Sequence, residues 1–75
     1  MPSTDIRFIS YDEATQRLSV IFVTGRRYLY ERVPKHIYDA FVQAPSRGTF
    51  FNLEIRGFYE YREITRQDVL RKRSA

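Results

Sequence analysis

The chain has 75 residues, no cysteine and a net charge of +4. A chain this short is one domain and buries only about 60% of the surface its unfolded form exposes. Without cysteine, disulfides and thiolate metal sites are excluded, so stability is left to dense packing of its six Phe and six Tyr rings and to self-association.

The elements follow in chain order. Residues 5–11 (DIRFISY) have strand composition after a loose start. Residues 12–16 (DEATQ) form a polar loop of hairpin length. Residues 17–23 (RLSVIFV) are the strongest strand, rich in β-branched side chains. Thr24-Gly25 turns the chain, with Gly25 free to take positive φ, and residues 27–32 (RYLYER) make a third strand. Two short connections between three strands predict an antiparallel meander.

A helix follows. Pro34 suits its first turn, and Ile37, Ala40, Phe41 and Ala44 recur on one apolar face, with Val33 stapled onto it. Pro45 ends that helix, because a residue preceding proline leaves the α region. Ser46 is an N-cap for a shorter second helix that buries Phe50, Phe51 and Ile55 and ends at Gly57. Residues 58–64 (FYEYREI) alternate rings with charge and read as a fourth strand. Thr65-Arg66-Gln67-Asp68 is patterned as a capping box opening a short amphipathic helix in a basic tail, residues 65–75. The predicted fold is α+β: a three-stranded antiparallel meander, two short helices packed on one face, and a fourth short strand, all within residues 1–64.

The facing of Tyr28 and Tyr30 depends on the second hairpin. Leu18, Val20 and Phe22 must face the helices. A three-residue loop, Thr24-Gly25-Arg26, pairs Tyr28 with Phe22 and turns both tyrosines into the core. A two-residue loop, Thr24-Gly25, pairs Tyr28 with Ile21 and turns both outward, because a one-residue slip exchanges the faces of a strand. The three-residue loop is favoured, since glycine there takes the αL position; the tyrosines are then structural. Phe8, Ile21, Val23 and Leu29 are left on the opposite face, an apolar patch of the kind that marks an interface. Its cover is either the tail, through Val69 and Leu70, or a second copy in a twofold homodimer.

Ile9-Ser10-Tyr11-Asp12, then Leu18, Val20, Phe22 and Gly25, then Tyr28-Leu29-Tyr30, Val33-Pro34 and Tyr38 run in the order of a known signature. With Ser46-Arg47-Gly48-Thr49-Phe50-Phe51-Asn52 and Ile55-Arg56 they make the chain resemble the KTSC domain over about residues 6–62. That family is named for the C-terminus of some lysyl-tRNA synthetases and also occurs as free-standing small bacterial proteins, the form the resemblance implies here. It implies RNA as a partner, by association with the synthetases, and no particular activity.

Eleven of the thirteen basic residues are arginine, whose planar donor fork suits phosphate. The charge is spread evenly, however, with no basic stripe of the kind a dedicated nucleic-acid binder shows. The candidate constellation is Arg26, Arg27, Arg47, Asn52, Arg56 and Arg62. Arg47 and the Gly48 amide lie in the first turn of the second helix, where an anion is favoured. Tyr38 and Tyr59 are the rings available for base stacking if exposed. The competing reading pairs these arginines with Glu54, Glu60 and Glu63 and gives Asn52 to nearby backbone groups.

No catalytic constellation is visible. His36 has Asp39 three residues on but no nucleophile. No cluster has metal-ligand spacing, and the three glycines are scattered, so no cofactor is expected. The longest apolar run, Val20-Ile21-Phe22-Val23, is too short to cross a bilayer. With no cysteine and no signal peptide, a cytoplasmic, non-enzymatic binding module is expected, without a small-molecule substrate or a membrane partner. Its partner is RNA or tRNA. The alternative is a protein-interaction or homodimerisation module acting through the apolar sheet face.

Overall fold

The structure, a computed structural model, describes residues 5–65. A four-stranded antiparallel sheet, β1 (Ile6–Asp12), β2 (Arg17–Phe22), β3 (Arg27–Tyr30) and β4 (Tyr61–Ile64), runs in the order β1-β2-β3-β4. Between β3 and β4 the chain forms α1 (Lys35–Gln43) and α2 (Arg47–Phe50), the latter continuing as a π-helical turn, Phe51–Ile55. This is the expected α+β architecture, with the fourth strand now placed beside the third. The fourth strand is shorter than residues 58–64: Phe58 donates its N–H to the Ile55 carbonyl (3.1 Å) and is spent closing the helix, so pairing starts only at Tyr61.

The second hairpin decides what each side of the sheet carries. Val20 lies opposite Tyr28, and Leu18 opposite Tyr30. The parity is that of the three-residue loop, so both tyrosines face the helices, but the register is displaced by two residues from the expected Phe22–Tyr28 pair. The loop is Val23-Thr24-Gly25. The Phe22 N–H reaches the Arg26 carbonyl (2.9 Å), the Gly25 N–H returns to the Phe22 carbonyl (2.8 Å), and Gly25 has φ +93°. A turn followed by one αL glycine is a favoured three-residue hairpin, and it consumes Val23 that the composition had placed in the strand. Val23 therefore leaves the apolar sheet face and sits in the loop.

The interior lies between the sheet and the helical segments. Ile9, Leu18, Val20, Tyr30, Val33, Phe41, Phe51 and Ile55 form one buried cluster, with no buried polar side chain among the described residues. Val33 is fully buried, as a staple would be. Pro34 is the N-cap of α1 instead of its first helical residue, its carbonyl accepting from the N–H groups of Ile37 and Tyr38. Ala40 is exposed, contrary to its expected place on the apolar face. Tyr38 takes that flank, stacked on Tyr11 at 4.8 Å, while the Tyr11 hydroxyl donates to the Val33 carbonyl (2.6 Å). Ala44 stops α1 in an extended conformation, as a pre-proline residue should.

Ser46 caps α2 as expected, accepting from the Thr49 N–H (3.3 Å). The helix then widens, with the Arg56 N–H bonded to the Phe51 carbonyl five residues back (2.8 Å). Both Phe51 and Ile55 point inward from this wider turn, and Gly57 reverses the chain with φ +85°. Of the predicted tail, residues 66–75 lie outside the described residues.

Gly25 has no atom within 4 Å of the position a Cβ would take, so Gly25→Ala meets no clash. Its cost is backbone conformation alone, about 1–2 kcal/mol. Urea denaturation should show that loss, with Gly25→Asn losing less.

Candidate functional site

On the helix-facing side of the sheet, Tyr11 of β1 stacks on Tyr38 of α1, while Phe22 of β2 and Tyr30 of β3 meet Phe51 of the π turn. Five rings there form a closed circuit of contacts. Phe22 meets Tyr28 (centroids 5.5 Å apart) and Phe51 (5.3 Å); Tyr28 meets Tyr61 (5.8 Å); Tyr61 stacks on Tyr30 (5.3 Å, planes 28° apart); and Tyr30 meets Phe51 (5.6 Å). The rings line a groove of about 430 Å³ together with Asp5, Val23, Thr24, Arg26 and Arg56. Most contacts in the circuit are edge-to-face, the favoured geometry for aromatic pairs.

Each wall has a local cause. Alternation on β3 puts Arg26, Tyr28 and Tyr30 on the groove side and Arg27 and Leu29 behind the sheet. Tyr61 lies opposite Tyr30 across the β3–β4 pair and remains 59% exposed. Phe51 comes from the π turn, and Arg56 is the residue immediately after it.

Electrostatics mark the same place. Burial, then the charges of Tyr61 and Tyr28, push the Tyr30 phenol up to about 12, while nearby Arg56 pulls the other way. Tyr28 first, and Glu63 after it, hold the Arg26 pKa above the ordinary arginine value. Lys35 gives the Asp39 carboxylate a salt bridge (3.2 Å), and this raises the lysine's pKa. Asp39 therefore serves Lys35, and exposed His36 is not its partner in that bridge.

The structure divides the predicted constellation. Arg26 and Arg56 converge on the groove. Arg27 and Arg62 lie on the back of the sheet, opposite Ile64 and Leu29 respectively. Arg47 opens α2 and Asn52 lies in the π turn, both exposed and neither lining the groove. Among the described residues the ion pairs are Arg17–Glu31 (3.0 Å), Arg32–Glu60 (2.7 Å) and Lys35–Asp39, so none of the five candidate arginines is in an ion pair. Tyr38 and Tyr59 are half-buried and packed against the core. Tyr28 and Tyr30 belong to the core side and also line the groove. Nothing in the sequence pattern marks Phe22, Phe51 or Tyr61 as site residues. The nearest signal, for Tyr61, is its place in an aromatic–charged alternation that pairs naturally with Tyr-x-Tyr.

Behind the sheet, Phe8 is 56% exposed opposite half-buried Ile21, whereas Leu29 is only 7% exposed although it lies outside the core cluster.

The profile of the KTSC domain family matches residues 2–61. This chain belongs to the KTSC domain family. A crystal structure of a KTSC domain protein from Yersinia pestis superposes with a TM-score of 0.78 at 33% identity, covering 87% of this chain and 92% of that one. Over 60 residues the chain is 33% identical to a lysine–tRNA ligase of Nostoc punctiforme, which is 80% of this chain and 11% of the enzyme. An uncharacterised protein of Stutzerimonas stutzeri is 38% identical over 52 residues, 69% of this chain and 73% of that protein. The KTSC domain here thus spans about a ninth of the ligase it matches. No helix among its described residues is long and apolar enough to cross a membrane.

The raised phenol makes this KTSC domain sensitive to alkali. Below the ordinary tyrosine value of 10.0 the Tyr30 contribution to stability is complete, and it is lost as pH rises toward about 12, because the unfolded chain ionises first. Urea midpoints measured across that window should fall, and Tyr30→Phe should flatten the part of the fall that Tyr30 causes.

Proposed function

We propose that this domain is a small, non-enzymatic, cytoplasmic module that binds single-stranded RNA weakly through the aromatic groove. One observation carries the reading: five rings and two guanidinium groups that enter no ion pair among the described residues share one open hollow. Single strands are held by stacking of bases on rings beside cations that meet the backbone. Stacking is worth about 1–3 kcal/mol per base, and exposed arginines add a modest, salt-screened amount. That arithmetic suits an accessory contact that adds to a larger one. Because relatives include a lysine–tRNA ligase, tRNA is the first RNA to try.

One backbone phosphate shared by Arg26 and Arg56 gives a slope of log K on log salt of about −0.7. Charge reversal at either arginine should weaken tRNA and oligonucleotide binding about tenfold or more, whereas Arg27→Glu, behind the sheet, should leave it unchanged. Fluorescence anisotropy with labelled RNA measures both. A salt-independent or absent interaction overturns the reading.

Exposed Phe8 opposite Ile21 favours a second reading, a homodimer formed through the back of the sheet. Phe8→Lys tests it with less damage to the fold than charging buried Leu29. Sedimentation equilibrium should show a dimer for the unaltered chain and a monomer for the variant; a monomer in both cases ends this reading.

A further inference from the structure

The groove has the wrong size and charge for a long strand. Its volume, about 430 Å³, lies near the lower end of the range for small-ligand pockets, roughly 300–1,000 Å³. Its ring walls are one contiguous circuit from Phe22 through Tyr28, Tyr61 and Tyr30 to Phe51. Its two guanidinium groups are accompanied by acids. Asp5 lines the groove, beside the hairpin loop, its carbonyl accepting the Val23 N–H (3.0 Å). Glu63 stands opposite Tyr28 on the groove side of β4. One phosphate can be shared by Arg26 and Arg56, while a second one continuing toward β4 meets the like charge of Glu63.

We infer that the groove holds a single nucleotide unit, its base on the rings and its one phosphate between Arg26 and Arg56. This rests on the RNA reading above and sharpens it. The base gains a ring-lined site, where a stacking contact can form. The tyrosine hydroxyls supply donors and acceptors at the rim for ribose or base-edge groups. A nucleotide unit has two sources, a free nucleoside monophosphate or one residue of an RNA chain.

The test uses the full chain and four probes: AMP, the adenylate dinucleotide, longer linear oligoadenylates, and a covalently closed oligoadenylate circle. Each competes with a labelled linear oligoadenylate in anisotropy. AMP should displace the label fully, and affinity should level off by the dinucleotide. Arg56→Ala, at an exposed position, should weaken AMP and the linear oligomers by the same factor, about tenfold. A circle that competes as well as the linear form assigns the unit to the interior of a chain. A circle that fails while AMP succeeds assigns it to a free or terminal nucleotide. Both results support one-unit occupancy. If AMP fails to compete even in large excess and affinity climbs with every added nucleotide, the inference is overturned while RNA binding stands. If no probe and no tRNA binds, the RNA reading falls and takes this inference with it.

Discussion

The pairing of Val20 with Tyr28 and of Leu18 with Tyr30 is the constraint from which the rest of the molecule follows. It commits the helix-facing side of β3 to aromatic rings and the far side to Leu29. It also separates two adjacent arginines that are chemically identical. Arg26 is carried to the groove and Arg27 to the back. A sheet transmits register without slack, since each residue's side is fixed by its neighbour's. A three-residue loop ending in one αL glycine therefore determines which guanidinium meets the rings.

The same rings serve stability and the groove. A domain of this size has little interior to spare. Tyr30 is buried and joins the core, yet its ring is one wall of the hollow, and Phe51 does likewise from the helical side. Tyr61 is the more exposed member, resting one face on Tyr30. Pre-packed rings lose little freedom on meeting a flat ligand, which lowers the entropic cost of binding. The dry interior and the acceptor found for the Tyr11 hydroxyl leave no buried side-chain polar atom unpaired among the described residues.

Much of this fold was legible in the residues. The β-branched run at β2, the Ser46 cap, the pre-proline stop at Ala44 and the Gly57 reversal are local signals, and each reports a conformation the chain has little alternative to. Register was less legible. The facing of the tyrosines followed from loop length, but Val23 reads as strand by composition and is taken into the loop by the glycine's position. The apolar stripe of α1 was read with Ala40 on it. A single methyl has too little surface to compete with the Tyr38 ring, which swings that flank toward Tyr11. The arginine constellation was the least legible part. Five cations with no stripe can be sorted onto faces only when strand parity and helix pitch are both known, and the widened turn is not signalled by any residue. Three of the groove's five rings were read only as core or as strand, because an open site made of core residues looks like core in one dimension.

That widened turn has a consequence for the geometry of the groove. A π turn amounts to an α-helix carrying one inserted residue, and such insertions gather where function needs a side chain re-aimed. Removing one residue between Phe51 and Ile55 would restore ordinary pitch and rotate everything after it by about 100° around the helix axis. Arg56 would then leave the rings, although its identity and its distance along the chain from Tyr61 were untouched. In this chain the spacing of that segment, as much as the presence of an arginine, sets whether the groove carries charge on its helical side.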